Sequence, residues 1–320
     1  MPSKPSTTVI PRQHKFSLAG AIMKIRLREP TIAFLFLLPA FIGVIVFYYY
    51  QIVQTGIYSL HNLQHTADWQ TQPFVWFKNY ATVFRSTYFW QSLRFTVYFT
   101  VMATALELAV GLGMAMATFW VSRWLGGILR AIIVMPWVIP PIINAMIWRW
   151  LFHADVGLFG YILVSLGLAD KPPLFLTEPV LAVHSVIFAD VWKNSSIMAI
   201  FLLGGLAAIP ADIYDAAKVD GARSWFRFRK VTLPMLLPTI LVALLFRGID
   251  ALRTFDLIYG LTGGGPGTVT ETLSSFAYKY YFTYGKFGLG SAYAIVVFAI
   301  IVGLAVIYLS RIRRNLRFKE

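Results

Sequence analysis

The chain has 320 residues, 58% of them hydrophobic and only 13% charged, with 28 Lys plus Arg against 14 Asp plus Glu and a net charge of +14. Soluble globular domains carry roughly 25% charged residues, so this composition, with a mean hydropathy of +0.66, excludes a soluble protein, and its 16% aromatic content excludes a disordered nucleic-acid-binding tail. The absence of Cys excludes disulfides, thiolate catalysis and Cys-based metal sites.

Residues 1–30 form a basic segment with Lys4, Arg12, Lys15, Lys24, Arg26 and Arg28. No signal peptide is expected, because the first apolar run continues for a full span without a small-residue cleavage site. A helix needs about 20 apolar residues to cross the hydrocarbon core, and the nearly uncharged runs Thr31–Tyr50, Phe95–Trp120, Ala131–Trp148 and Phe287–Ser310 predict spans at about 31–53, 94–120, 128–152 and 287–310. The second is broken only by Glu107, and the third holds Asn144 as its one amide. The segments 180–208, with His184, Asp190 and Lys193, and 236–260, with Arg247, Asp250, Arg253 and Asp256, are spans only if they tolerate these polar groups. The loop at 54–93 is rich in aromatic residues, among them Trp69, Trp76, Phe77, Tyr88 and Trp90, which suits an interfacial belt or a docking surface for a soluble partner. After the fifth span, Gly263, Gly264, Gly265, Pro266 and Gly267 predict a tight external turn.

Positive charge gathers in cytoplasmic loops, and this decides between four and six spans. With four, Lys218, Arg223, Arg227, Arg229 and Lys230 would lie in one long external loop. Six spans return them to the cytoplasm with the N-terminal segment and the tail 312–320, leaving 31–311 as an all-α membrane domain with both termini inside. The loop between spans four and five, 209–235, reads as two short helices around Gly221. Pro210 starts the first, and Asp212 and Asp215 sit in its early turns where the helix dipole favours them. Ala216 and Ala217 leave a flat face, Gly221 turns the chain, and Pro234 and Pro238 mark re-entry. By its residues alone this is a basic interfacial helix or a docking element.

The run Asp215, Ala216, Ala217, Asp220, Gly221, Ala222, Phe228, Val231, Leu233, Pro234 resembles the EAA loop of binding-protein-dependent ABC importer permeases, and its DGA core and FRKVTLP ending are similar to the carbohydrate uptake branch of the maltose and glycerol-3-phosphate type. FLFLLPAFIGVIVFYYY, ELAVGLGMAMA and FDLIYGLTGGGPGTVTETL extend the resemblance over nearly the whole chain. Asp215 stands where the family usually has Glu, and Gln51 where members commonly have Pro. The resemblance implies a type I importer permease fold of six transmembrane helices in a bacterial inner membrane. The implied partners are a second permease in a heterodimer, two ATP-binding cassette subunits that carry ATP and Mg, and an extracytoplasmic solute-binding protein. In such an assembly Asp215 would be the charged contact with the ATPase, Ala216 and Ala217 its close-packed face and Gly221 the turn, with Asp220, Ala222, Phe228 and Pro234 completing the motif. The chain has no G-x-x-x-x-G-K-[ST] phosphate loop, so ATP hydrolysis and any cofactor are expected on the partners. Importers of amino acids, polyamines or an anion, and an ion-coupled secondary transporter, are the competing readings.

Charge at bilayer depth costs about 2.5–3.5 kcal/mol on insertion scales, so Glu107, Asp190, Asp250, Asp256, Arg149, Lys193, Arg247 and Arg253 are functional candidates. On span five, Arg247 with Asp250, Asp250 with Arg253 and Arg253 with Asp256 are three apart and can pair locally. Alternatively some of them line a water-filled path. A sugar needs hydrogen-bonding groups for its hydroxyls and an aromatic face for its ring; Asn144, Trp192, Lys193, Asn194, Asp250 and Arg253 offer that chemistry at intermediate depth. The histidines lack metal-ligand spacing, and no metal site is expected.

Overall fold

A computed structural model describes residues 29–64 and 73–317. The N-terminal basic residues through Arg28, the loop positions 65–72 with Trp69, and the last three residues of the tail lie outside the described residues. The described chain is helical, with a single isolated antiparallel bridge between His61 and Phe74. Two units partition it, residues 1–52 and 53–320.

In the first unit, α1 (Glu29–Val44) runs through a widened π turn (Ile45–Tyr49) into the start of α2 (Tyr50–Ser59). Its sequence is apolar on every side, as expected of a helix solvated by lipid rather than by water.

The second unit continues with α3 (Lys78–Arg85), α4 (Thr87–Phe119), α5 (Arg123–Val138), α6 (Pro141–Leu151), α7 (Leu158–Ser165) and α8 (Pro179–Ala207). The last part comprises α9 (Ala211–Val219), α10 (Ser224–Arg227), α11 (Leu233–Leu252), α12 (Asp256–Leu261), α13 (Leu273–Tyr278) and α14 (Phe287–Arg317). Among the described residues five helices are long and apolar enough to cross a membrane, six if the bent pair α5 and α6 counts as one. Apolar side chains on their outer faces, such as Val101, Leu304, Val306 and Ile307, are exposed. In water this would be a severe aggregation liability; in a bilayer it is the solvated surface.

The centre of the unit is the packing of α4 on α8. Without a hydrophobic drive between helices in lipid, small residues that admit close approach decide such contacts. Gly111 of α4 is one: a Cβ there would lie 2.8 Å from Met198 Cγ of α8. Around this pair lie three buried clusters. One holds Phe95, Phe99, Trp148, Phe152 and Ile258; a second holds Ala115, Leu202, Leu206, Leu236 and Ile240; the third joins Phe89 of α4 to Phe276 and Tyr293.

The structure corrects three expectations. The segment 128–152 is not one straight rod, because α5 and α6 meet at 92°. The prolines explain the corner: in a continuous helix Trp137 O would accept from the amide of residue 141, but Pro141 has none. The segment 236–260 ends as a helix at Leu252, and after a break α12 packs as a separate turn on α6, with Gly260 where a Cβ would come within 2.7 Å of Ala145 Cβ. Finally, the basic loop holds one independent helix rather than two. α10 continues through a π turn (Phe228–Thr232) directly into α11, so Pro234 and Pro238 lie inside one continuous helix.

Candidate functional site

At 3.6 residues per turn, Asp190, Lys193 and Asn194 share one side of α8, and that side faces α6 and α11. Together with Asn144 and Pro141 of α6, Trp137 of α5, Asp250 of α11 and the stretch Arg253–Leu257, they enclose a cavity of about 460 Å³. Small-molecule sites typically measure about 300–1,000 Å³. A second cavity of about 320 Å³ shares Trp137, Asn194, Asp250 and Arg253 and continues along α8 and α11 between Ile197, Met198, Phe201 and Phe246, with a mainly apolar wall.

Five of the six residues expected on the path, Asn144, Lys193, Asn194, Asp250 and Arg253, therefore line one space. Trp192 does not. It points away from that side of α8, and its ring stands edge-on to Trp148 at 5.5 Å, in an aromatic group with Phe188. The helical phase already separates it, since residue 192 lies about 200° around the axis from residue 190.

Each polar wall residue is held by its neighbours. Lys193 is buried, and its Nζ donates to Trp137 O at 2.8 Å, supplying the donor that Pro141 lacks and placing positive charge at the C-terminal end of α5. Asn194 Nδ2 donates to Asp190 Oδ1 at 2.9 Å. Asn144 is buried and donates through Nδ2 to Ala189 O at 3.4 Å, while its Oδ1 has no protein partner.

Behind the cavity lies an ionic cluster that joins three helices, where local pairing on α11 was expected. Arg247 of α11 forms a fork with Glu107 of α4, Nε to Oε2 at 2.7 Å and Nη2 to Oε1 at 2.9 Å. The same Nη2 donates to Asp190 of α8, and Nη1 reaches Asp250 at 3.3 Å. Glu107 is 0% and Arg247 5% exposed. Arg253 pairs with Asp250 at 3.1 Å, so of the three local pairs expected on span five, only that of Arg253 with Asp256 is absent among the described residues. Sequence reasoning named Glu107, Asp190 and Arg247 without bringing them together. The signal available was that Glu107, alone in its span, needed a cation from elsewhere.

The basic loop forms the second candidate element. In α9, Asp215, Ala216 and Asp220 are exposed and Ala217 half-buried, with Lys218 Nζ 2.7 Å from Asp215. Gly221, at φ +73°, ends the helix in a Schellman motif: Ala222 N donates to Ala217 O at 2.9 Å and Gly221 N to Lys218 O at 3.0 Å. Phe228 is half-buried against Trp225 at the start of the π turn, and Pro234 follows in the first turn of α11. Gly221 thus separates α9 from α10, which leaves α9 presenting its small residues outward.

Beyond α12 the Gly-rich run is a turn, as its sequence predicts. Gly264, at φ +91°, lies directly over the carboxylate of Glu271, which is buried and paired with Lys279. Among the described residues no group of three or more His, Cys, Asp or Glu is arranged to hold a metal ion.

Residues 109–316 match the family described as "Binding-protein-dependent transport system inner membrane component". The chain belongs to that family. The matched span contains α9, every residue of the cavity wall, and Asp190 and Arg247 of the ionic cluster, and membership makes the chain a multi-pass membrane component of a transport system that works with a solute-binding protein. It is 40% identical to the trehalose/maltose transport system permease protein MalF of Thermococcus litoralis, over 91% of this chain and 98% of that one. It is 35% identical to the sulfoquinovosyl glycerol transport system permease protein SmoG of Agrobacterium fabrum, over 90% of this chain and 92% of that one. In fold it is similar to a chain in a crystal structure of a bacterial alginate ABC transporter in complex with alginate pentasaccharide-bound periplasmic protein, with a TM-score of 0.78 and 22% identity over 89% and 94% of the two chains.

Proposed function

We propose that this chain is the sugar-translocating permease subunit of an ATP-driven importer in a bacterial inner membrane, with both termini cytoplasmic. Its partners are a second permease, two ATP-binding cassette subunits that bind ATP and Mg, and an extracytoplasmic solute-binding protein. The observation that carries the reading is the cavity wall. It sets donors and acceptors side by side, Lys193, Asn194, Asn144, Asp190, Asp250 and Arg253. A polyhydroxy solute presents both donors and acceptors at close spacing and so suits such a wall. Trp137 and Phe255 supply apolar surface for a ring. The names of the relatives, transporters of trehalose/maltose and of sulfoquinovosyl glycerol, support the same solute class.

In this reading α9 is the coupling helix. Its exposed Asp215 and Ala216, with Ala217 beside them, meet the ATPase, and Gly221 leaves the helix protruding from the membrane domain. Closure of the ATPase pair displaces α9, and rigid-body motion of the spans then exposes the cavity to one side or the other.

The test is uptake of labelled trehalose and of maltose by the reconstituted complex with its binding protein. Uptake that requires internal ATP, and falls at least about tenfold on Asn144→Ala while the complex stays assembled and ATP hydrolysis persists, supports the reading. Uptake that persists without ATP under an imposed membrane potential would establish a secondary transporter instead.

A further inference from the structure

Helix α9 is fastened to the membrane domain by one deeply buried side chain. Asp212, Asp215, Ala216 and Lys218 are exposed, whereas Tyr214 is 5% exposed and belongs to the buried cluster formed by α4, α8 and α11. Its ring stands edge-on to Trp120, the residue that caps the C-terminal end of α4, with centroids 5.3 Å apart. Its hydroxyl lies 3.2 Å from Thr232 Oγ1, and Thr232 is itself buried at 3% exposure.

The position of Thr232 gives this contact its significance. It is the last residue of the π turn that joins α10 to α11, where Leu233 N donates to Phe228 O across the widened turn. Such a turn accommodates an extra residue in the helical ladder and marks a place where a helix can change direction. Arg247 and Asp250 lie further along the same α11, about 22 Å and about 27 Å away at 1.5 Å per residue. Besides the short chain around Gly221, the contact of the Tyr214 hydroxyl with Thr232 gives a displacement of α9 a side-chain route to the base of α11, and the long helix carries it to the ionic cluster and the cavity.

We propose that Tyr214 is the positioning residue that joins α9 to α11, with its hydroxyl contact to Thr232 as the link that converts motion of α9 into rotation of α11 about the π turn. This rests on the reading of α9 as the ATPase-docking helix. The ring holds α9 in place; the hydroxyl makes α11 follow it. Tyr214→Phe keeps the first function and removes the second, which separates transmission from folding and docking.

The natural chain has no Cys, so a thiol introduced by Thr254→Cys reports on the cavity wall without competition from this subunit. In the complete complex reconstituted in liposomes, two quantities are measured: ATP hydrolysis, and the rate at which that thiol is alkylated with and without ATP plus vanadate. In the otherwise unsubstituted background the alkylation rate should change with nucleotide. Tyr214→Phe and Thr232→Val should each shrink that change at least about fivefold while hydrolysis stays within about twofold, and Thr232→Ser should restore it. A full nucleotide response in Tyr214→Phe overturns the proposal. So does a parallel loss of hydrolysis and response, which would assign Tyr214 to docking or folding alone. If the unsubstituted background shows no nucleotide response, the docking-helix reading fails and the proposed link fails with it.

Discussion

Replacing Arg247 with Met removes the fork to Glu107 at 2.7 and 2.9 Å, the bond to Asp190 and the contact with Asp250 at 3.3 Å. The three carboxylates differ in what they lose. Asp250 is 52% exposed at its side chain and keeps Arg253, so its share is small. Asp190 lies on the cavity wall and retains the amide of Asn194. Glu107 is wholly buried, and water cannot replace the guanidinium. Removal of one partner of such a pair costs about 3–5 kcal/mol, and Glu107 sets the expected loss for Arg247→Met in that range. Glu107→Leu leaves Arg247 with Asp190 and Asp250, and costs about 1–3 kcal/mol. The double replacement removes both charges of the fork and should cost less than the sum of the two single changes by at least about 2 kcal/mol. Equilibrium unfolding of the purified chain in mixed detergent and SDS measures all three. Arg247→Met within about 1 kcal/mol of the natural chain, or strict additivity in the double variant, would refute the view that the cluster carries its energy in the Glu107 fork.

Gly264→Ala combines a strained φ of +91° with a Cβ 2.0 Å from Glu271 Oε2; it should lower stability by about 1–3 kcal/mol, seen as a reduced midpoint in the same unfolding assay. A Cβ added by Gly221→Ala meets nothing within 4 Å, so its cost is confined to the backbone at φ +73° and should stay near 1–2 kcal/mol, roughly the penalty of a left-handed residue, while ATP-driven uptake falls further than stability does. Lys193→Met orphans Trp137 O at the α5–α6 corner; the expected loss is about 1–3 kcal/mol, and Lys193→Gln, which keeps a donor, should recover part of it.

Run length made the spans legible, because a bilayer imposes a minimum number of apolar residues whatever the tertiary contacts. Hydropathy is blind to direction, however, and so the corner at Pro140 and Pro141 appeared as uninterrupted apolar sequence even though the missing amide of Pro141 was there to be read. On α8 the residue types were right, but the periodicity that groups Asp190, Lys193 and Asn194 also excludes Trp192. The ionic cluster lay beyond local reasoning. Arg247 is 140 residues from Glu107 and 57 from Asp190, and three- and four-residue spacings suggest only partners on one helix. The hydroxyl pair of Tyr214 and Thr232 was hidden for a related reason, since a Tyr beside Asp215 reads equally well as surface or anchor until α11 is seen to begin beneath it.

The charges around the cavity also bear on how the membrane voltage acts on this protein. Glu107, Asp190 and Asp250 are matched in number by Lys193, Arg247 and Arg253, and Arg247 ties α4, α8 and α11 together within this group of zero net charge. One uncompensated charge crossing the full field would add or subtract about 2.3 kcal/mol per 100 mV, enough to bias any rearrangement of these helices with the energetic state of the cell. A neutral body moving through the same field does almost no electrical work. This group of charges can therefore shift about the cavity at the same cost in a resting cell and in a fully energised one, which leaves the chemical drive on the proposed coupling helix as the term that sets the direction of travel.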